Sequence, residues 1–149
     1  MTDDELVVEA FGLKDLPRAG WVRVGVQAPE SVAAHAWGVA FLALVRCPPE
    51  LDRGRVLALA LLHDLAEARV GDITPYDGVS PEEKHRRERE AAEEMLAGRP
   101  ELLALWREVE ERATPEARFV KELDLADLRA QAEIYARRGF EVGEFLTSG

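Results

Sequence analysis

The chain has 149 residues, 47% of them hydrophobic and 32% charged, with a formal net charge of −10. That is the length of one domain with a normal globular balance, and it excludes a disordered polyelectrolyte. The acidic surface repels nucleic acid phosphates and anionic lipid headgroups, so neither is expected as a partner, and an anionic substrate needs a local positive feature such as a bound cation.

The single cysteine, Cys47, excludes an internal disulfide and a cysteine-based zinc site; it reads as a small buried apolar side chain beside a helix end. The first residues, Met1 to Leu6, are acidic and lack the basic flank and apolar run of a secretory signal. The longest strongly apolar stretch, Val56 to Leu62, is too short to cross a bilayer. The expectation is one cytoplasmic domain over residues 1–149.

Apolar residues recur at three- and four-residue intervals, which predicts an all-α, single-domain bundle of about six helices. A first short helix is expected over Glu5 to Leu13, then a loop from Pro17 to Pro29 in which Trp21 to Val26 could be extended. The second helix opens near Ser31 and runs to about Arg46, with Val32, Trp37, Val39, Phe41, Leu42 and Val45 on a broad apolar face; Pro48-Pro49 stops it. Asp52 caps a third helix that carries the Val56–Leu62 run to about Ala68, a segment apolar enough for the centre of a bundle. Gly71 ends it, and a loop runs to Gly78. Ser80-Pro81-Glu82-Glu83 combines an N-cap serine, a proline at the first helical position and a glutamate three residues on, so a helix to about Ala97 follows. Another is expected over Glu101 to Arg112, and Thr114-Pro115-Glu116 caps a last long helix to Arg138.

Three polar groups interrupt the third helix in Leu61-Leu62-His63-Asp64-Leu65-Ala66-Glu67, and burying an ionisable side chain without a partner is costly. Helical spacing puts Glu67 four residues from His63 and three from Asp64, so the three can face one spot. His35 among Val32, Trp37 and Val39, and Asp124 between Leu123 and Leu125, are matching anomalies on two other helices. A divalent ion would resolve all of them, neutralising the carboxylates and satisfying the imidazole nitrogens. Taken singly, each has an ordinary reading: a histidine on an apolar face is more often a satisfied core residue, and Asp124 could pair with Lys121 or Arg129.

The ordered series His35, His63-Asp64 and Asp124 resembles the H…HD…D signature of the HD superfamily of metal-dependent phosphohydrolases. Arg18-Ala19-Gly20-Trp21, Pro29-Glu30-Ser31-Val32, Gly71-Asp72-Ile73-Thr74-Pro75, Glu82-Glu83-Lys84-His85-Arg86-Arg87-Glu88 and Phe119-Val120-Lys121-Glu122-Leu123-Asp124 extend the likeness, over about residues 11–137, to the HD-domain 5′-deoxynucleotidases. The resemblance implies an HD-type helical bundle that releases phosphate from deoxynucleoside 5′-monophosphates and works as a homodimer. It implies His35, His63, Asp64 and Asp124 as metal ligands, Glu67 and Asp72 as catalytic acidic residues, and Arg18, Trp21, Asp72 and Thr74 as substrate contacts. The cofactor would be one divalent ion (Mn, Co, Zn, Fe or Mg), and three histidines favour one ion over two.

Two positions depart from the pattern: Ala34 stands where the family tends to have an acidic residue, and Val24 where it tends to have a basic one. Trp21 reads equally well as core, Asp72 and Thr74 as turn residues, and His85 as part of a solvated charged face. An HD-type phosphodiesterase, a nucleotide triphosphohydrolase and a non-catalytic nucleotide sensor are the alternative functions.

Overall fold

Ser31, Asp52, Ser80 and Thr114 each accept a hydrogen bond from the backbone N–H three residues on, which satisfies a donor that the first helical turn leaves without a partner. The computed structural model describes residues 1–147; Ser148 and Gly149, the end of the expected domain, lie outside the described residues. Among those described, nine α-helices follow in order: α1 (Asp3–Phe11), α2 (Ala19–Arg23), α3 (Val32–Arg46), α4 (Arg53–Leu62), α5 (Glu67–Val70), α6 (Pro81–Met95), α7 (Pro100–Glu111), α8 (Pro115–Arg137) and α9 (Gly143–Thr147). A 3-10 turn at Gly12–Lys14 follows α1, and no strand occurs among the described residues. The all-α class is as expected. The helix number exceeds the expected six because of α2, α5 and α9.

Two of these differences have local causes. The segment expected to be extended, Trp21 to Val26, begins inside α2. Arg18 is extended, the Asp72 carboxylate accepts from the Ala19 N–H at 2.8 Å, and Gly25 ends the turn at φ +84°, a conformation that favours glycine. The helix expected to reach Ala68 stops as α4 at Leu62. Beyond it the N–H groups of Leu65, Glu67, Ala68 and Arg69 bond three residues back rather than four, a tighter winding that re-aims the side chains of His63 and Asp64.

Helices α3, α4 and α8 pack against one another around Val39, Ala43, Val56, Leu59, Val120 and Leu123. A second cluster joins Met95, Leu96 and Trp106 to Val32 and Leu65, and a third gathers Trp21, Tyr135 and Val142. The Val56–Leu62 run does lie centrally: Val56, Leu59 and Ala60 are fully buried, although Leu61 is exposed. The broad face expected on α3 divides, with Val32 and Val39 buried and Trp37, Phe41 and Val45 exposed beside Leu44. Cys47 is the half-buried C-cap of α3. No helix among the described residues is long and apolar enough to cross a membrane.

A charged clamp ties three of these helices. Arg55 Nε (α4) donates to Glu108 Oε2 (α7) at 2.9 Å, a second guanidinium N–H reaches Oε1, and the hydroxyl of Thr114, the cap of α8, donates to Oε2 at 2.6 Å. The Arg55 bond holds the Glu108 carboxyl below its ordinary 4.5, against the opposing effect of burial. A lowered folded-state pKa contributes stability that is present above the unfolded value and lost as pH falls through the folded one. Glu108→Gln should therefore cost about 1 kcal/mol near neutrality, and the difference in melting temperature from wild type should shrink below about pH 4. A difference that stays constant from neutrality into acid would contradict the clamp.

Candidate metal centre

His35 is the buried polar position on the inner face of α3, among Val32, Ala36, Val39 and Ala43. His63 and Asp64 occupy the tightened winding after α4, and Asp124 lies on α8 one residue past buried Leu123. The site therefore sits where the three central helices meet. The His63 ring is fixed by its own turn, because Nδ1 lies 2.6 Å from the Ala60 carbonyl, which can only accept. Nδ1 thus carries the proton, and Nε2 faces the site.

His35 Nε2 lies 3.3 Å from His63 Nε2, 2.8 Å from Asp124 Oδ1 and 3.5 Å from Asp64 Oδ2. His63 Nε2 lies 3.1 Å from Asp64 Oδ2 and 3.9 Å from Asp124 Oδ1. Metal–ligand bonds of about 2.1 Å place ligand atoms about 3.0 to 3.4 Å apart at octahedral or tetrahedral angles. The His35–His63 and His63–Asp64 spacings fall in that window, and His35, His63 and Asp64 form a group that could hold a metal ion. The two Asp124 spacings, 2.8 and 3.9 Å, lie on either side of it. Two nitrogens with two carboxylate oxygens would form a hard-to-borderline donor set.

The charges interlock. Burial disfavours the His35 imidazolium, but hydrogen bonds to Asp124 and Asp127 outweigh it and raise its pKa to about 9. Burial would raise the Asp64 and Asp124 carboxyls; the facing histidines instead hold both well below the usual range. A cation at the centre would take the place of the imidazolium protons between the two Nε2 atoms and the Asp64 and Asp124 carboxylates.

Glu67 is buried within hydrogen-bonding reach of Asp64 and Asp72. Burial first, and then the Asp64 charge, push its carboxyl well above the ordinary value. Arg69, the obvious salt-bridge partner, is engaged elsewhere with Glu9 and Glu94.

Arg18 is held by an antiparallel bridge between Pro17 and Ser31, its N–H donating to the Glu30 carbonyl at 3.0 Å. Its guanidinium is largely buried, and Nη1, 4.0 Å from Glu30 Oε2, has no hydrogen-bond partner. Asp72 caps the Ala19 N–H beside it. Thr74 forms a local turn: its N–H donates to Asp77 Oδ2 and its hydroxyl accepts from the Tyr76 N–H. Trp21 is 1% exposed, donates from Nε1 to Glu30 Oε2 at 2.9 Å and packs on Tyr135 and Phe145. Arg18, Trp21, Asp72 and Thr74 together border a cavity of about 340 Å³.

A separate cavity of about 310 Å³ opens on His63, Asp64 and Asp124, and its walls bring in Lys84, His85 and Glu88 of α6. Burial raises the Glu88 carboxyl to about 7. Sequence reasoning passed over Lys84 and Glu88 and left His85 on a solvated face; His85 is exposed, but it lines this cavity and its Nδ1 meets Glu110 at 2.6 Å. Asp127 was also missed: its Oδ2 lies 2.6 Å from His35 Nδ1. Its place one turn beyond Asp124 was the available signal.

The fold thus brings His35 of α3, His63 and Asp64 from the turn after α4, and Asp124 of α8 close together. The HD domain family matches residues 11–145, and the chain belongs to that family. It is similar to the 5′-deoxynucleotidase HDDC2 of Bos taurus, 47% identical over 128 residues that cover 83% of this chain and 62% of the relative. It is also similar to the 5′-deoxynucleotidase hdd1 of Schizosaccharomyces pombe, 39% identical over 85% of this chain and 68% of the relative. The chain thus spans less than two-thirds of the length of the Bos taurus protein. Among solved structures, a conserved hypothetical protein of Pyrococcus furiosus superposes with a TM-score of 0.85 at 32% identity, covering 98% of this chain and 90% of that one. The PH0347 protein of Pyrococcus horikoshii gives a TM-score of 0.81 at 35% identity, covering 95% and 84%.

Mn²⁺ supplied at about a hundred times its Kd should stabilise the fold by about 2.7 kcal/mol, a rise of about 5–10 °C in melting temperature for a chain of this size. His63→Ala should abolish that increment. An equal increment in both proteins would place the ion elsewhere.

Proposed function

We propose that the chain is a metal-dependent 5′-deoxynucleotidase, a phosphoric monoester hydrolase that releases phosphate from deoxynucleoside 5′-monophosphates. The observation that carries this reading is the convergence of His35 Nε2, His63 Nε2, Asp64 Oδ2 and Asp124 Oδ1 on one point. The names of the relatives support the substrate class. The four atoms would hold one divalent ion of the Mn, Co, Zn, Fe or Mg group. When bound, such an ion supplies Lewis acidity toward a phosphate oxygen and toward water.

The chain's own residues would do the rest. Arg18 brings a buried, permanently charged guanidinium with an N–H to spare, suited to a non-bridging phosphate oxygen. Asp72 accepts from the Ala19 N–H and so holds the loop that carries Arg18. Hydrolysis breaks the bond between phosphorus and O5′ and forms one from phosphorus to a water oxygen, so a proton must travel from the water to the departing O5′. Glu67, buried between two other carboxylates, favours the protonated form; it would give its proton to the departing O5′ and take one back from the water. Trp21 shapes the cavity wall from its buried position, and Thr74 sets the turn that follows Asp72.

In this reading residues 1–149 act as one domain in the cytoplasm, and two copies pair. The exposed stripe Trp37, Phe41, Leu44 and Val45 on α3, with the Trp37 and Phe41 rings stacked, is apolar and would be covered in a twofold dimer. A monomer at all concentrations in sedimentation would overturn the pairing.

Phosphate release from nucleoside mono- and triphosphates and from a phosphodiester, with added divalent metals, tests the activity. Deoxynucleoside 5′-monophosphates should be the substrates. Glu67→Ala should keep its metal and bind the nucleotide but turn over at least about a hundredfold more slowly, whereas Arg18→Ala should weaken nucleotide binding at unchanged metal content. Near-normal turnover by Glu67→Ala would sink its catalytic assignment.

A further inference from the structure

A glycine stands in the middle of the fifteen-residue helix α3 without a backbone reason. Gly38 has no left-handed φ, and a glycine in a helix interior destabilises it relative to alanine. What lies against it explains the choice. An ideal Cβ on Gly38 would overlap Oδ1 of Asp127 and fall 3.2 Å from its Cγ. The bare α-carbon is a seat for that carboxylate.

The other oxygen of the same carboxylate, Oδ2, lies 2.6 Å from His35 Nδ1. His35 and Gly38 are three residues apart on α3, and Asp124 and Asp127 are three residues apart on α8, so each pair shares one helix face. The two faces meet in register. His35 Nε2 points to Asp124 Oδ1 at 2.8 Å while Nδ1 points to Asp127, and the Asp127 side chain, only 13% exposed, backs onto Gly38. A carboxylate at Nδ1 is an acceptor, so it keeps a proton there and makes Nε2 the nitrogen that an ion at the site would bind; such a partner also makes the imidazole a stronger donor.

We propose that Asp127 and Gly38 are a positioning pair for the metal centre: Asp127 sets the tautomer and direction of His35, and Gly38 provides the space without which that carboxylate cannot reach it. The proposal rests on the reading of His35 as a metal ligand. Gly38 acts entirely through Asp127, which has a consequence that packing alone does not share. In wild type an alanine at 38 must displace the carboxylate. Once Asp127 is truncated, the same alanine has room and adds a better helix former.

The test is the affinity for Mn²⁺, measured by titration calorimetry, together with the melting temperature in excess chelator, for wild type, Asp127→Asn, Asp127→Ala, Gly38→Ala, the Gly38→Ala/Asp127→Ala double variant and a His63→Ala control. Asp127→Ala should bind Mn²⁺ about 10- to 100-fold more weakly, the usual scale for removing a ligand's outer partner. Asp127→Asn, nearly the same shape with an acceptor but no charge, should fall between it and wild type, and it keeps the test decisive if the alanine variant folds poorly. Gly38→Ala should weaken Mn²⁺ binding in the same sense. The double variant should bind no more weakly than Asp127→Ala, and adding Gly38→Ala should lower the melting temperature of wild type but not that of Asp127→Ala. Unchanged affinity in Asp127→Asn and Gly38→Ala, or losses that simply add in the double variant, would overturn the pair while leaving the metal site standing. Failure of wild type to bind Mn²⁺, or equal binding by His63→Ala, would overturn the site itself and the pair with it.

Discussion

The contact between α3 and α8 is the constraint on which the rest of the site depends. His35 is 1% exposed and bonds at both ring nitrogens to aspartates one turn apart on α8. A buried imidazole with two carboxylate partners cannot shift along the helix without leaving a charge unpaired in the interior, which is far more costly than a lost surface contact. The helix-to-helix register is therefore set by polar pairing, and the apolar layer of Val39, Ala43, Val120 and Leu123 packs beside it.

The winding after α4 serves the same geometry. A regular α-helix through Leu62 to Ala68 would carry His63 and Asp64 round at 100° per residue. The three-residue hydrogen bonds of Leu65, Glu67 and Ala68 tighten the turn, and the Ala60 carbonyl accepts a hydrogen bond from His63 Nδ1–H. Adjacent residues then offer Nε2 and Oδ2 only 3.1 Å apart. Glu67 emerges at the start of α5 against Asp64 and Asp72, and Asp72 in turn fixes the loop that carries Arg18. A few short links thus connect the ion site to the buried guanidinium.

Much of the fold was legible in residues with one dominant local reading. Ser80-Pro81-Glu82-Glu83 and Thr114-Pro115-Glu116 mark helix starts whatever surrounds them, and the structure begins α6 and α8 there. The break at His63 was not legible, because the apolar Leu-Leu-His-Asp-Leu-Ala-Glu continues the helical pattern of Val56–Leu62 without a glycine or proline to stop it. Helix α2 was missed because its cap is Asp72, fifty-three residues away from the N–H it binds. The apolar periodicity of α3 overstated burial, since it does not distinguish a face turned to the core, as at Val39, from one left outside, as at Trp37. The polar anomalies in apolar segments, His35, His63, Asp64, Glu67 and Asp124, drew attention to side chains that lie near one another in the structure. Asp127 escaped because an aspartate in Leu-Ala-Asp-Leu-Arg looks like an ordinary surface position until its partner across the helix interface is known.

The central claim is that four atoms, from α3, α8 and the turn after α4, share one cation. Anomalous diffraction from a crystal of the Mn²⁺-loaded protein, collected above the manganese edge, measures this directly. The account predicts an ion peak within bonding distance, about 2.0–2.3 Å, of His35 Nε2, His63 Nε2, Asp64 and Asp124. A peak on the opposite side of His35, at Nδ1 with Asp127 and Glu30, or no ordered ion among the four side chains, would contradict it.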